Sequence, residues 1–290
     1  MINLCIPEAD AKRVHSVSLI DYRYNEAKWL AEAQDVVHRA ACAVIGSPDG
    51  WAKIALFGVQ RDDSTDYLQL FPQWELDDVG DLITTASDVM ESEAIVAQYF
   101  TPRAEIKGVP APVAAFMEKF KASAEYRSLR DEYGQLLAYK ASWASAPFPP
   151  IFVTTDAVVV KSGHVLVVKR KGTPGRGLMA LPGGFLNTKE KIVDGCVREL
   201  REETGIKLTL IELKKAIRDS AVFDDPRRST RGRTITHAFC IDLGDGPLPK
   251  VKGGDDAAKA WWIPLKDVMA EPWKFFEDHF DIINHFAGKL

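Results

Sequence analysis

At 290 residues the chain is long enough for two domains, each with its own core. Its 46% hydrophobic and 27% charged residues are those of a globular protein and exclude a disordered one, and a formal net charge of -4 gives no electrostatic basis for nucleic-acid binding. No apolar run approaches the ~20 residues of a membrane span, and Cys5, Cys42, Cys196 and Cys240 are scattered without metal-ligand spacing. A cytoplasmic protein with reduced thiols, no nucleic-acid partner and no membrane span is expected.

Residues 13–20 read as a strand, 25–45 as a helix and 51–57 as a second strand, a β-α-β order that predicts a parallel pair joined by a crossover helix. Asp21-Tyr-Arg-Tyr-Asn25 with Trp29, then Ala55-Leu-Phe-Gly58, Arg61-Asp-Asp-Ser64 and Tyr67-Leu-Gln-Leu-Phe-Pro-Gln-Trp74, resemble the later part of a nicotinamide mononucleotide adenylyltransferase domain. That family's H-x-G-H loop has no counterpart in this sequence. Its closing I-S-x-T-x-x-R aligns with residues 90–96, which places Glu93 and Val96 where Thr and Arg would hold ATP phosphates. The resemblance implies a truncated Rossmann-like nucleotidyltransferase remnant over residues 1–109. Its aromatics would be retained chiefly for packing, with a homodimer contact or a residual nucleotide pocket as alternatives.

Helical periodicity over residues 110–146 predicts two connecting helices, and Pro147-Phe-Pro-Pro150 marks the boundary of a second domain, 147–290. Two β-rich runs, 152–160 and 164–170, flank the hairpin signal Lys161-Ser-Gly163. Leu181-Pro-Gly-Gly184 follows, where Gly183 and Gly184 let backbone approach a metal or phosphate closely. Next comes a helix predicted to be capped by Asn187 and Glu190, seated by Ile192, Val193, Cys196, Val197 and Leu200, and stopped by Gly205. Glu199, Glu202 and Glu203 share one face of it at i, i+3 and i+4. Like charges so placed repel, and clustered carboxylate oxygens suit hard ions such as Mg²⁺ or Mn²⁺.

Gly184, Glu190, Arg198, Glu199, Leu200, Glu202, Glu203, Gly205 and Ile206 fit the pattern G-x5-E-x7-R-E-U-x-E-E-x-G-U, with U aliphatic, at every defined position. The chain is on that basis identified as resembling the Nudix hydrolases, a domain that follows an adenylyltransferase domain in bacterial bifunctional proteins. The resemblance implies an α/β/α Nudix sandwich and Mg²⁺-dependent hydrolysis of a nucleoside diphosphate-linked compound, with Mn²⁺ as the alternative ion. Glu199, Glu202 and Glu203 would hold metal, and Arg198 and Glu190 would orient them.

After an apolar run at 208–213, the loop Asp224-Asp-Pro-Arg-Arg-Ser-Thr-Arg-Gly-Arg-Thr234 brings four arginines into seven residues. Guanidinium groups bind phosphate through paired hydrogen bonds, so Arg228, Arg231 and Arg233 are candidate substrate ligands, against the alternative of a solvated basic turn. The loop and the strand after it, 233–241, resemble the R-G-R-T block of Nudix domains acting on ADP-ribose, which points to AMP and ribose 5-phosphate as products. His237 in that strand reads as structural, one of Trp261 and Trp262 in the strand 260–263 as core, and Asp255 and Asp256 as solvated. An amphipathic segment, 273–286, closes the chain. The competing readings are a bifunctional adenylyltransferase and a non-catalytic ADP-ribose sensor.

Overall fold

The computed structural model describes residues 5–46, 53–58, 63–78, 92–101, 109–254 and 256–288. Its contacts divide the chain into two units, Met1–Arg130 and Asp131–Leu290.

In the first unit helix α1, Glu26–Ile45, starts where the Asn25 side chain accepts the Lys28 amide and ends at Gly46 in the left-handed region. Strands β1, Ala55–Gly58, and β2, Glu75–Asp78, pair in parallel across a 3-10 helix, Asp63–Leu70. The strand expected at 13–20 does not form. Val14 and Val17 remain exposed at 43% and 59%, and β1 takes β2 as its partner instead, so the anticipated β-α-β unit is replaced by a β-3-10-β pair. A run that buries neither face gains nothing from a ladder. Trp51 and Ala52 lie outside the described residues. Phe71 stacks on Trp74 at 4.9 Å and contacts Trp29 at 5.7 Å, and Tyr22 and Phe71 are buried, as a packing role demands. Helices α2, Ser92–Phe100, and α3, Ala111–Phe120, meet the start of α4, Ala124–Ser142, around Tyr126, whose hydroxyl donates to the Tyr99 carbonyl. Val96 is exposed on α2, and the Glu93 side chain lies outside the described residues.

The second unit takes in the later part of α4 and is built on a seven-stranded sheet. Its strands are β3, Phe152–Lys161; β4, His164–Arg170; β5, Met179–Ala180; β6, Gly183–Phe185; β7, Ile217–Phe223; β8, Thr234–Asp242; and β9, Ala257–Pro264. The order is β5-β4-β3-β8-β7, with β6 paired to β3 and β9 to β4. The hairpin between β3 and β4 turns at Ser162 and Gly163, both at positive φ. Every residue of β3 from Thr154 to Val160 is buried, so the strand is covered on both faces. Helix α5, Ile192–Thr204, seats Cys196, Val197 and Leu200 against Ala157, Val159, Phe239 and Ile241. By alternation Val158 and Val160 face the other side, and helix α8, His279–Ala287, packs against the sheet through Phe286 on Phe223.

One local expectation needs correction, and two elements were not assigned in the sequence. Asn187 does not cap α5, whose first residue follows Lys191 without a side-chain cap; Glu190 instead accepts the Asn187 amide and closes a turn ahead of the helix. The 208–213 run is helix α6, Leu210–Lys215, started by a reciprocal Thr209–Glu212 cap. Strand β7 was not anticipated, because as an edge strand carrying Arg218, Asp219 and Ser220 it lacks the apolar run of a covered one. Helix α7, Leu265–Ala270, and a 3-10 turn, Pro272–Lys274, precede α8, and no helix among the described residues is long and apolar enough to cross a membrane.

Candidate active site

The pairing of β6 with β3 sets Gly184 opposite Thr155 and Gly183 opposite Asp156. A Cβ on Gly183 would collide with the Thr155 carbonyl and the Asp156 carboxylate, and one on Gly184 would lie 2.6 Å from Glu199 Oε1. Glycine at both positions lets main chain run directly against carboxylates. The Gly183 N–H donates to Glu203 Oε2 at 3.0 Å.

Glu203 is 7% exposed on α5. Burial, reinforced by Glu199 and Asp156, pushes its carboxyl up to about 8 against the pull of the Gly183 amide and Arg170. Asp156 is itself buried and accepts from the Thr236 hydroxyl. Glu203 and Asp156 thus bring two buried carboxyls against the Gly183 turn.

Arg198 organises the other acidic residues. It grips Glu190 through both oxygens, at 2.7 and 3.0 Å, and donates to Glu199 at 2.8 Å and Glu202 at 2.9 Å. The same bonds hold the Glu190 carboxyl down at about 2. Glu199 and Glu203 line a cavity of about 600 Å³, whereas Glu202 does not. Among the described residues no three His, Cys, Asp or Glu side chains are gathered as a ready-made ion cage. What fits a cation is the donor chemistry: hard carboxylate oxygens, with the buried Glu203 hydrogen-bonded by an amide.

The arginine loop is divided in its placement. Arg228, 3% exposed, makes a two-pronged ion pair with the fully buried Asp278, both bonds at 2.8 Å. Arg231 lines the cavity, lies over the rings of Phe185 at 5.3 Å and Phe276 at 5.7 Å, and reaches Glu277 at 3.5 Å. Arg233 donates to the Asp224 carbonyl and is not part of the wall. His237 stacks on Phe239 at 4.8 Å, away from the cavity. Trp262 donates to the Pro249 carbonyl and packs on the core, and neither it nor Trp261 lines the site. Asp256 does line it, and Asp255 lies outside the described residues.

Several wall residues were missed in the sequence. Arg170 ends β4 with its guanidinium 3.8 Å from the Phe276 ring centre, and burial, with Arg231 nearby, lowers its proton affinity. Its signal was a basic residue closing a core strand immediately before a Gly- and Pro-rich loop. Buried His279 accepts the Leu181 N–H at Nδ1, tying the start of α8 to the glycine turn. Glu277, at φ 47°, accepts from Ser229 and Arg231. Glu132, Gln135 and Tyr139 of α4 also line the cavity, and nothing in their helical periodicity distinguished them from a connector.

Residues 151–286 match the family model described as the NUDIX domain. An ADP-ribose pyrophosphatase of Methanocaldococcus jannaschii is 36% identical over 134 residues, which cover 46% of this chain and 72% of that one. A nicotinamide/nicotinic acid mononucleotide adenylyltransferase of Acinetobacter baylyi is 29% identical over 124 residues, 43% of this chain and 60% of that one. The crystal structure of a bifunctional NMN adenylyltransferase/ADP ribose pyrophosphatase from Francisella tularensis, complexed with AMP and a manganese ion, superposes with a TM-score of 0.80 at 34% identity. It covers 93% of this chain and 77% of that one.

Proposed function

Because this chain belongs to the Nudix hydrolase family, we propose that it splits ADP-ribose into AMP and ribose 5-phosphate. One P–O bond forms to a water oxygen and the bridging P–O bond of the diphosphate breaks. The observation that supports this substrate class is that one cavity is lined both by the carboxyls of Glu199 and Glu203 and by the guanidinium groups of Arg231 and Arg170. Glu199 and Glu203 in the cavity, joined by Glu202 from beside it on the same helix, would hold a divalent ion, Mg²⁺ or Mn²⁺, which when bound neutralises diphosphate charge. Arg198 keeps Glu199 and Glu202 oriented, the Gly183 amide orients Glu203, and the two arginines bind and align phosphate oxygens.

The direct test is product analysis on a panel of nucleoside diphosphate-linked compounds, with Mg²⁺, with Mn²⁺ and with chelator. ADP-ribose should give AMP and ribose 5-phosphate with either ion and nothing after chelation. A panel on which ADP-ribose is not cleaved would defeat the assignment. Arg231→Ala should weaken ADP-ribose by ~1.5–3 kcal/mol, the worth of a charge-assisted hydrogen bond, with thermal stability little changed. Arg233→Ala, outside the wall, should do less; equal Michaelis constants for wild type and Arg231→Ala would remove Arg231 from the site.

The superposition over 93% of the chain on a bifunctional protein favours one further reading, adenylyl transfer in the first unit. Against it, this sequence contains no H-x-G-H, and Glu93 aligns where a triphosphate would need a cation or donor. A carboxylate near a triphosphate opposes binding by about 1 kcal/mol even at full water screening. Incubated with nicotinamide mononucleotide, ATP and Mg²⁺, the purified chain should form no NAD above the enzyme-free control by chromatography. NAD formation lost on substitution in the first unit but kept in Glu203→Gln would establish two activities.

A further inference from the structure

Glu132, Gln135 and Tyr139 reach the cavity from α4, upstream of the residues that match the family model. Both carboxylate oxygens of Glu132 accept the Gly175 N–H, each at 3.1 Å, and Gln135 accepts from the Thr173 hydroxyl. Gly175 sits at φ +78°, and a Cβ there would strike the Phe276 ring, so the loop lies flat against that ring. One residue earlier, the Pro174 carbonyl accepts from Arg170 Nε at 3.0 Å, and the Arg170 guanidinium covers the same ring. A continuous line of contacts thus runs from α4, through residues 173–175, to a cation on the cavity wall.

We propose that Glu132 is a positioning residue for substrate phosphate: by holding the Gly175 amide it fixes the Pro174 carbonyl, and the carbonyl fixes Arg170 over Phe276. The inference rests on the cavity's being the diphosphate site. Glu132 touches no reacting atom, and it works by limiting the orientations open to a long, flexible side chain, which lowers the entropy lost when Arg170 meets an anion.

Glu132→Ala should raise the Michaelis constant for ADP-ribose roughly tenfold and leave kcat within about twofold, the split expected when only uniform binding is lost. Glu132→Gln should recover part of the loss, because its amide oxygen still accepts from Gly175. In an Arg170→Lys background, which cannot make the same Nε contact, Glu132→Ala should add less than about twofold. AMP affinity by calorimetry should follow the same pattern and needs no turnover. Wild type that binds AMP in a Glu132-dependent way yet leaves ADP-ribose intact would defeat the hydrolase reading alone. An unchanged Michaelis constant and AMP affinity in Glu132→Ala, or losses that multiply fully with Arg170→Lys, would overturn the positioning role.

Discussion

Glu203→Gln is expected to reduce turnover of ADP-ribose by about a hundredfold or more while the protein stays folded. The substitution keeps the size and one acceptor oxygen for the Gly183 amide, so the glycine turn retains its anchor. If Glu203 holds the ion as proposed, the substitution removes a ligand charge from that cation site. The ion-free protein should respond in the opposite sense. Burial raises the Glu203 carboxyl from 4.5 to about 8, so the folded state holds a proton there that the unfolded state releases. Stability then falls as pH rises through that window, with a slope of at most about 1.4 kcal/mol per pH unit from this group. Glu203→Gln should flatten this dependence, so that in chelator near pH 8 the variant melts above wild type and near pH 4 the two converge. Wild-type turnover in Glu203→Gln would defeat the metal assignment, and parallel pH profiles of melting would show that Glu203 is not the strained carboxyl.

Asp278→Ala should cost about 3–5 kcal/mol of stability, a drop of roughly 10 °C or more in melting temperature. Arg228 is 3% exposed, and its cation is held by Asp278 through two bonds, so removing the carboxylate leaves a buried charge without its ion-pair partner. Asp278→Asn keeps acceptor oxygen for one guanidinium nitrogen and should lose less. The pair Arg228→Met with Asp278→Leu should recover much of the loss, since it removes both charges together. Denaturant unfolding measures all three; a loss under about 1 kcal/mol in Asp278→Ala would show that solvent reaches Arg228. One corollary bears on substrate binding. Arg228 lines the cavity, yet its variants must be read for folding before any change in affinity is assigned to phosphate.

The parts of this molecule legible in the sequence were those encoded within one element or one turn. The apolar stripe of α5, its Gly205 stop, the hairpin at Ser162 and Gly163 and the fixed spacing of the acidic residues all depend on local geometry. The split among the arginines was not legible, because Arg228 and Arg231 differ only in what α8 and its preceding loop bring to them, Asp278 to one and Glu277 with Phe276 to the other. Arg170 and Glu132 escaped notice for the same reason: each belongs to the site through a partner distant in sequence or in another element. The 13–20 strand failed in the opposite way, as a β-prone run that pairs with no strand among the described residues.

The charges that concealed β7 also sit at an edge of the sheet. Among the described residues β7 is the terminal strand beyond β8 in the second unit, so one row of its backbone donors and acceptors meets no further described strand. Such a row is a template for adding a strand from another chain. Arg218 and Asp219 stand on it, and the register slips between Ile217 and Asp219, so an incoming strand would meet charge and an interrupted ladder near its first residues. The polar break in the pattern thus works against the addition of a strand at this edge.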